Sequence, residues 1–194
     1  MINYRKYYDN NKLDEFCLYK YHDACHMLRV LVLSLLLCCL LNVDENEVSM
    51  VAVASLYHDV GRQNDDFDYF HGIKSWKRAK DVITNDFCER DWQTIKFIIE
   101  NHCIPDKDVC GNIVYYACID KEKTLKLLNI MKDADSLDIT RFDCFNEKYL
   151  RFEQSKALIP VAKSLVELNS SVTDVMKIKE VLTKYGYEKS VDYL

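Results

Sequence analysis

Several histidines and aspartates of this chain occur where proteins place ligands for divalent metals. His58 and Asp59 stand side by side at the end of an apolar run, and Gly61 and Arg62 follow them. A neutral imidazole and a carboxylate both bind divalent cations, but two adjacent residues cannot hold an ion alone. A metal site therefore needs further ligands, and the remaining histidines of the chain are His22, His26, His71 and His102.

A group of carboxylates near the end of a predicted helix offers more ligands. The segment contains Asp133, Asp135 and Asp138. On a helix Asp133 and Asp135 project about 200° apart, so at most one of them faces the interior. Asp138 lies one turn beyond Asp135 on the same side. Because negative charge at a helix C-terminus opposes the macrodipole, a metal or a basic partner is favoured here.

Helices must position these residues, because the composition disfavours a turn-rich β fold. The 194 residues include four glycines and two prolines, and 49% are hydrophobic. We predict an all-α, single-domain helical bundle over residues 1–194. An irregular segment is expected at 1–11 and a loop at about 103–120, in which residues 113–116 have the pattern of a short strand. Apolar spacing and caps, with Gly61 and Gly186 as stops, predict helices over about 13–41, 44–58, 71–83, 91–101, 121–135, 158–168 and 173–184.

Charge, cysteine content and hydropathy narrow the classes of function. The net charge of −5 disfavours a broad basic face, so long nucleic acid is not an expected partner. Nine cysteines without a C-x-x-C pair or a signal peptide predict reduced thiols and a cytoplasmic protein. The most apolar run, residues 30–41, is too short to cross a bilayer, so no membrane partner is expected.

Three motifs together resemble the HD superfamily of metal-dependent phosphohydrolases. They are an H-x-x-R-V helix at His26–Val30, the defining doublet in His58–Arg62, and a final-aspartate segment at Lys132–Asp138. The resemblance covers about residues 20–145 and implies an HD-type bundle on which helices of about residues 146–194 pack. It implies that Asp135, in preference to Asp133, is the fourth ligand after His26, His58 and Asp59.

The same resemblance implies a cofactor of one or two divalent metal ions. Members with a second ion add histidines between the doublet and the final aspartate, and His71 and His102 occupy that interval. Asp59 would then bridge both ions. Because mixed histidine and carboxylate sites accept several metals, Fe, Mn, Zn, Ni, Co and Mg are not distinguished.

The expected reaction is hydrolysis of a phosphomonoester, phosphodiester or phosphoanhydride by metal-activated water. The expected partner is a small phosphorylated substrate, in the first place a nucleotide. Asp59 and Arg62 are the expected catalytic residues. A non-catalytic HD-fold module that binds a nucleotide or partner, and an HD-type nuclease for single strands, are the alternatives. The basic residues expected to bind substrate phosphate are Arg62, Lys74, Arg78 and Arg141.

Some neighbours of these residues have more than one interpretation. His22 lies one turn before His26 and is expected on the surface or just outside the ligands. Arg29 follows His26 by one turn and is expected to orient site carboxylates. Asp65 and Asp66 are open as a general acid, as outer ligands, or as ion-pair partners of Arg62.

Overall fold

The computed structural model describes residues 21–187, and this part of the chain is helical without any strand. The prediction of an all-α bundle is therefore confirmed. Short 3₁₀ turns at Ile113–Tyr115, Ile139–Arg141, Glu147–Tyr149 and Asn169–Thr173 connect some of the helices. The α-helices are α1 (Ala24–Leu40), α2 (Glu45–Tyr57), α3 (His71–Asp86), α4 (Glu89–Asn101), α5 (Asp106–Asn112), α6 (Lys121–Asp138), α7 (Glu153–Ala157), α8 (Ile159–Glu167) and α9 (Val175–Lys184).

Helix α1 is apolar on nearly every side and forms the centre of the bundle. Its residues from Met27 to Cys38 are all buried. A helix of this kind is stable in water only when other elements surround it, and α1 packs against α2, α6 and α8. Its start is defined by Asp23, whose Oδ1 accepts a hydrogen bond from the backbone N of His26 at 2.9 Å.

The other helices form a layer around α1 that brings several helix ends to one side. Helix α2 packs between α1 and α4, and α3 packs mainly on α4. Asp44 caps α2 by accepting from the backbone N of Glu47 at 3.1 Å, at the start of the helix that the sequence predicts over about 44–58. The beginnings of α1 and α3 thereby approach the ends of α2, α4 and α6, where the histidines and carboxylates lie.

Two predictions for the segment after α4 are wrong. Residues 106–112 form α5 and not a loop, and the candidate strand at 113–116 contains the 3₁₀ turn Ile113–Tyr115. Val109 and Ile113 are buried, so packing stabilises this short helix despite Gly111. The predicted irregular segment at 1–11, the first part of the predicted helix from residue 13, and residues 188–194 lie outside the described residues. Within residues 21–187, no helix has both the length and the apolar character needed to cross a bilayer.

Candidate metal centre

Five helix ends bring the predicted ligands to one place. His26 lies in the first turn of α1, and His71 begins α3. His58 and His102 follow directly after α2 and α4. Asp135 lies in the last turn of α6. All four imidazoles are more than nine-tenths buried, so they form the lining of an interior site.

Asp59 lies at the centre of this cluster, and its two carboxylate oxygens face different pairs of histidines. Oδ2 is 3.6 Å from the Nε2 atoms of both His26 and His58. Oδ1 is 2.9 Å from Nε2 of His71 and 3.3 Å from Nε2 of His102. One carboxylate therefore joins two groups of donor atoms.

The second ring nitrogen of each imidazole is held by a hydrogen-bond acceptor. In His58, His71 and His102, Nδ1 lies 2.5–2.8 Å from the backbone carbonyl oxygen three residues earlier. In His26, Nδ1 lies 2.7 Å from Oδ2 of Asp138. Because carbonyl and carboxylate oxygens can only accept, each Nδ1 carries the proton and each Nε2 presents a lone pair to the cluster.

These lone pairs face one another at short range. The two Nε2 atoms are 3.2 Å apart in the pair His26–His58 and 2.7 Å apart in the pair His71–His102. Burial lowers the pKa of His58 to about 3 and also lowers that of His102, so neither carries a second proton near neutral pH. Facing lone pairs and a buried carboxylate fit a bound cation, and the nitrogen and oxygen donors suit a divalent metal.

Asp135, the preferred fourth ligand, and Asp133 have different surroundings. Oδ1 of Asp135 lies 3.6 Å from Nε2 of His26 and 3.8 Å from Nε2 of His58. Asp133 lies outside the cluster, where its carboxylate accepts hydrogen bonds from the backbone and side chain of Arg151 and from Ser155. Of these two carboxylates, Asp135 is the one that the structure brings to the histidines.

The four basic candidates divide into two pairs. Nε of Arg62 lies 3.0 Å from Oδ2 of Asp59, and Arg141 contacts the carboxylate of Asp138 beside His26. Lys74 and Arg78 instead stabilise the loop between α2 and α3. Nζ of Lys74 lies 2.7 Å from Oδ2 of Asp68, and Nη1 of Arg78 donates to the carbonyl of Val60 at 2.6 Å. The structure thus brings Arg62 and Arg141 to the cluster, but not Lys74 and Arg78.

His22, which was expected on the surface or just outside the ligands, forms a pair with Asp65 at the edge of the cluster. Nδ1 of His22 lies 2.8 Å from Oδ1 of Asp65. Its Nε2 then faces inward, 3.7 Å from Oδ2 of Asp59. The side chain of His22 remains 16% exposed, so it can meet a molecule that enters from solvent. The position of His22 one turn before His26 was the available signal, but its pairing depends on the loop that carries Asp65.

Asp138 is the other residue whose role sequence reasoning missed. It is fully buried, and besides Nδ1 of His26 it accepts hydrogen bonds from Nε and Nη2 of Arg29 at 2.5 and 3.1 Å. Arg29 was expected to orient a carboxylate of the site, and the carboxylate that it contacts is that of Asp138. Asp138 in turn fixes the ring of His26. Such outer partners keep a ligand histidine in the correct tautomer and direction.

Gly61 allows α3 to approach the end of α2 closely. Its backbone N donates to Oγ of Ser75 at 2.9 Å. A Cβ atom on Gly61 would lie 2.0 Å from the backbone N of Ser75 and 2.3 Å from the carbonyl carbon of Lys74. Gly61 has no positive φ, in contrast to Gly186 with φ of 79°, so its function is a close contact and not the helix cap that the sequence suggested.

We expect Gly61→Ala to destabilise the protein strongly. The added methyl group meets backbone atoms of α3, which cannot move without displacing the helix that begins with His71. The free energy of unfolding should fall by about 3 kcal/mol, the upper end of typical overpacking costs, in a urea titration followed by circular dichroism. Gly111→Ala is the control, because its Cβ meets no atom within 4 Å. Equal stability of the two variants would contradict this packing role.

Comparison with known proteins gives one family. The family model for the SidE phosphodiesterase (PDE) domain matches residues 19–187 of the chain. No curated protein and no solved structure matches significantly. The match corrects the resemblance drawn from three motifs, since the matched family is not an HD-domain family, and the HD assignment is therefore wrong. Short motifs of histidine and aspartate arise wherever a helical bundle gathers such residues at its helix ends, so they do not identify a family.

Proposed function

We propose that this chain, which belongs to the SidE phosphodiesterase (PDE) domain family, hydrolyses a phosphodiester bond at the cluster around Asp59 with one or two divalent cations as cofactor. One observation carries the proposal. Each of the four buried histidines has its Nδ1 atom hydrogen-bonded to an acceptor, so its Nε2 lone pair is free to bind a cation. The four Nε2 atoms converge on the two carboxylate oxygens of Asp59. This arrangement supports a cation-binding centre, and the family supports the bond that is cleaved.

The proposed ligands fall into two groups that share Asp59. His26, His58 and Asp135 would hold one ion, and His71 and His102 the other. When bound, a divalent cation polarises the phosphate and lowers the pKa of water from 15.7 towards about 7. We propose a small phosphodiester substrate, a nucleotide in the first instance, because the net charge of −5 disfavours a long polyanion.

Arg62 is the proposed binding residue for the phosphate. Its side chain is 15% exposed, and Nε lies 3.0 Å from Oδ2 of Asp59, so the guanidinium lies at the entrance to the cluster. Nη1 donates to the backbone carbonyl of Asp66 at 3.2 Å, which holds the group in place. A guanidinium can bind two phosphate oxygens at once, and this would orient the diester for attack.

His22 is the proposed proton acceptor for the attacking water. Asp65 accepts the Nδ1 proton, so Nε2 of His22 is left as a base that faces Asp59. Burial lowers the pKa of His22, although Asp59 and Asp65 act to raise it, and the ring is therefore neutral at pH 7. After bond cleavage, the same nitrogen can return the proton to the leaving oxygen.

The proposed function is tested by turnover of diesters in the presence and absence of metal. The purified chain, stripped with a chelator and supplied separately with Mn²⁺, Co²⁺, Ni²⁺, Zn²⁺, Fe²⁺ and Mg²⁺, is assayed with bis(p-nitrophenyl) phosphate and with a dinucleotide. We expect cleavage that is lost with the chelator and restored by at least one metal. Absence of cleavage with every metal would contradict the proposed reaction. Full activity in protein that is shown to contain no metal would contradict the proposed metal cofactor but not the proposed reaction.

We expect His22→Gln to lower kcat by about 10²–10⁴-fold, the usual contribution of a positioned acid or base. Metal content should not change, because His22 is not among the proposed ligands. A base must be neutral to act, so the activity of the unsubstituted protein should fall as the pH drops through the pKa of His22, which lies below 6.5. The variant should lack this acid limb in its pH–rate profile.

The neighbouring pair Asp65 and Asp66 provides a matched control for this role. Asp65→Asn replaces the charged acceptor that orients His22 with a neutral amide and should lower kcat less than His22→Gln does. The carboxylate of Asp66 instead accepts from Nδ2 of Asn64, and Asp66→Asn should leave kcat unchanged. An unaltered pH profile and kcat in His22→Gln would exclude His22 as the proton acceptor.

A further inference from the structure

Cys103 lies beside one half of the histidine cluster. The Sγ atom of Cys103 and one ring nitrogen each of His71 and His102 all lie within 4.8 Å of one another. We propose that Cys103 is a thiolate ligand in the half of the site formed by His71, His102 and Asp59. This half would then be a thiolate-containing position for a borderline cation such as Zn²⁺, an inference that rests on the proposed metal cofactor.

The two halves of the cluster differ in the chemistry of their donors. His71, His102 and Cys103 lie together, and Oδ1 of Asp59 lies 2.9 Å from Nε2 of His71. These four residues would supply two nitrogens, one oxygen and one sulfur, donors that zinc accepts. In the other half, His26, His58, Asp59 and Asp135 offer nitrogen and oxygen alone. Thiolate selects zinc and similar ions, whereas Mg²⁺ and Mn²⁺ prefer oxygen. The thiolate would therefore give the cysteine half a preference for Zn²⁺ that the other half lacks.

Backbone packing places Cys103 next to His71, although the two residues belong to different helix ends. Gly72 lies against the last turn of α4, where a Cβ atom would be 2.5 Å from the carbonyl oxygen of Ile99. That same carbonyl accepts from Nδ1 of His102 at 2.7 Å. The beginning of α3 and the end of α4 are thus held together, and this brings the thiol and both imidazoles to one side.

The thiol needs no oxidant to become a ligand. Sγ of Cys103 donates to the backbone carbonyl of Tyr69 at 3.3 Å, and the residue is half-buried. On ligation the S–H bond breaks, the proton passes to solvent, and the sulfur lone pair forms the bond to the metal. Among residues 21–187, Cys103 is the cysteine that joins a group of potential ligands with histidine.

Cobalt substitution tests this ligand directly, because the absorption spectrum of bound Co²⁺ shows whether sulfur is a ligand and does not depend on enzyme activity. The chelator-treated full chain is titrated with Co²⁺, and the absorption spectrum is recorded for the unsubstituted protein, Cys103→Ser and Cys110→Ser. Cys110 is exposed in α5 and serves as the matched control. We expect a sulfur-to-cobalt charge-transfer band in the unsubstituted protein and in Cys110→Ser. Cys103→Ser should lose this band but keep the visible bands of cobalt bound by nitrogen and oxygen.

Zinc affinity gives a second measurement. Competition with a chromophoric chelator should show a lower Zn²⁺ affinity in Cys103→Ser. Loss of a residue that holds a metal ligand in place costs about 10–100-fold in affinity, and loss of the ligand itself should cost at least as much. Thermal unfolding of metal-free Cys103→Ser and Cys110→Ser verifies that both fold. A charge-transfer band that persists in Cys103→Ser, or that is absent from unsubstituted protein with bound cobalt, would overturn the inference. A Cys103-dependent band in a protein that cleaves no diester would instead overturn the proposed function and leave the ligand in place.

Discussion

Asp59→Asn is expected to abolish both phosphodiester cleavage and tight metal binding. The carboxylate of Asp59 is the only group that faces both histidine pairs within the described cluster, at 3.6 Å on one side and 2.9–3.3 Å on the other. An amide keeps the size of the side chain but removes the negative charge, and its oxygen is a poor substitute for a shared carboxylate. We expect kcat/KM to fall by at least about 10³-fold, as when a charge-stabilising group is removed from other active sites.

The measurement combines metal analysis with the diester assay. After dialysis against buffer with equimolar Zn²⁺ and Mn²⁺, Asp59→Asn should retain less of either metal than the unsubstituted protein. Asp81→Asn is the control, because Asp81 is exposed on α3, and it should keep both metal and activity. Thermal unfolding without metal verifies that the Asp59 variant folds. Metal content and kcat/KM close to those of the Asp81 variant would refute a central role for Asp59.

Much of the helical fold could be predicted, because it depends on local signals. The apolar run of α1 and the cap at Asp44 are visible in the sequence, and both define helices in the structure. Helix α6 was predicted to stop near residue 135, but it continues to Asp138. The acidic residues near this end are compensated by Arg141, three residues after Asp138, and by Arg29 and Arg151, which are distant from their partners in the sequence. Such long-range partners leave no local signal.

The ligand types of the site could be predicted better than their surroundings. Histidines at the ends of predicted helices converge if the bundle gathers these ends, and the described structure does so for His26, His58, His71 and His102. Long basic side chains are less predictable, because small differences in loop path change their partners. Lys74 reaches Asp68 across the loop between α2 and α3, away from the cluster.

The assignment of a family was the step that sequence motifs could not support. The doublet and the two flanking motifs together contain few residues, and their chemistry is shared by any bundle that binds a metal through histidine and aspartate. The match to the SidE phosphodiesterase domain spans residues 19–187 and therefore depends on the pattern of the whole bundle. The proposed metal chemistry rests on the geometry around Asp59 and does not require membership of the HD superfamily.

Asp138→Ala should cause the largest loss of stability among single substitutions at the site. Asp138 is fully buried, and its carboxylate accepts from Arg29 and from Nδ1 of His26 while also contacting Arg141. Removing it leaves two largely buried guanidinium groups without their shared carboxylate. Breaking a buried ion pair by removing one partner costs about 3–5 kcal/mol, and we expect the free energy of unfolding in urea to fall by this amount.

Two further variants separate this charge effect from loss of packing. Asp138→Asn should have intermediate stability, because the amide oxygen still accepts one hydrogen bond from a guanidinium. Asp143→Ala, at an exposed position five residues later, should change the free energy of unfolding by no more than about 0.5 kcal/mol. In Asp138→Asn the ring of His26 also loses its charged acceptor, so metal affinity should fall by about 10–100-fold. If Asp138→Ala were as stable as Asp143→Ala, the buried network could not be what holds His26 in place.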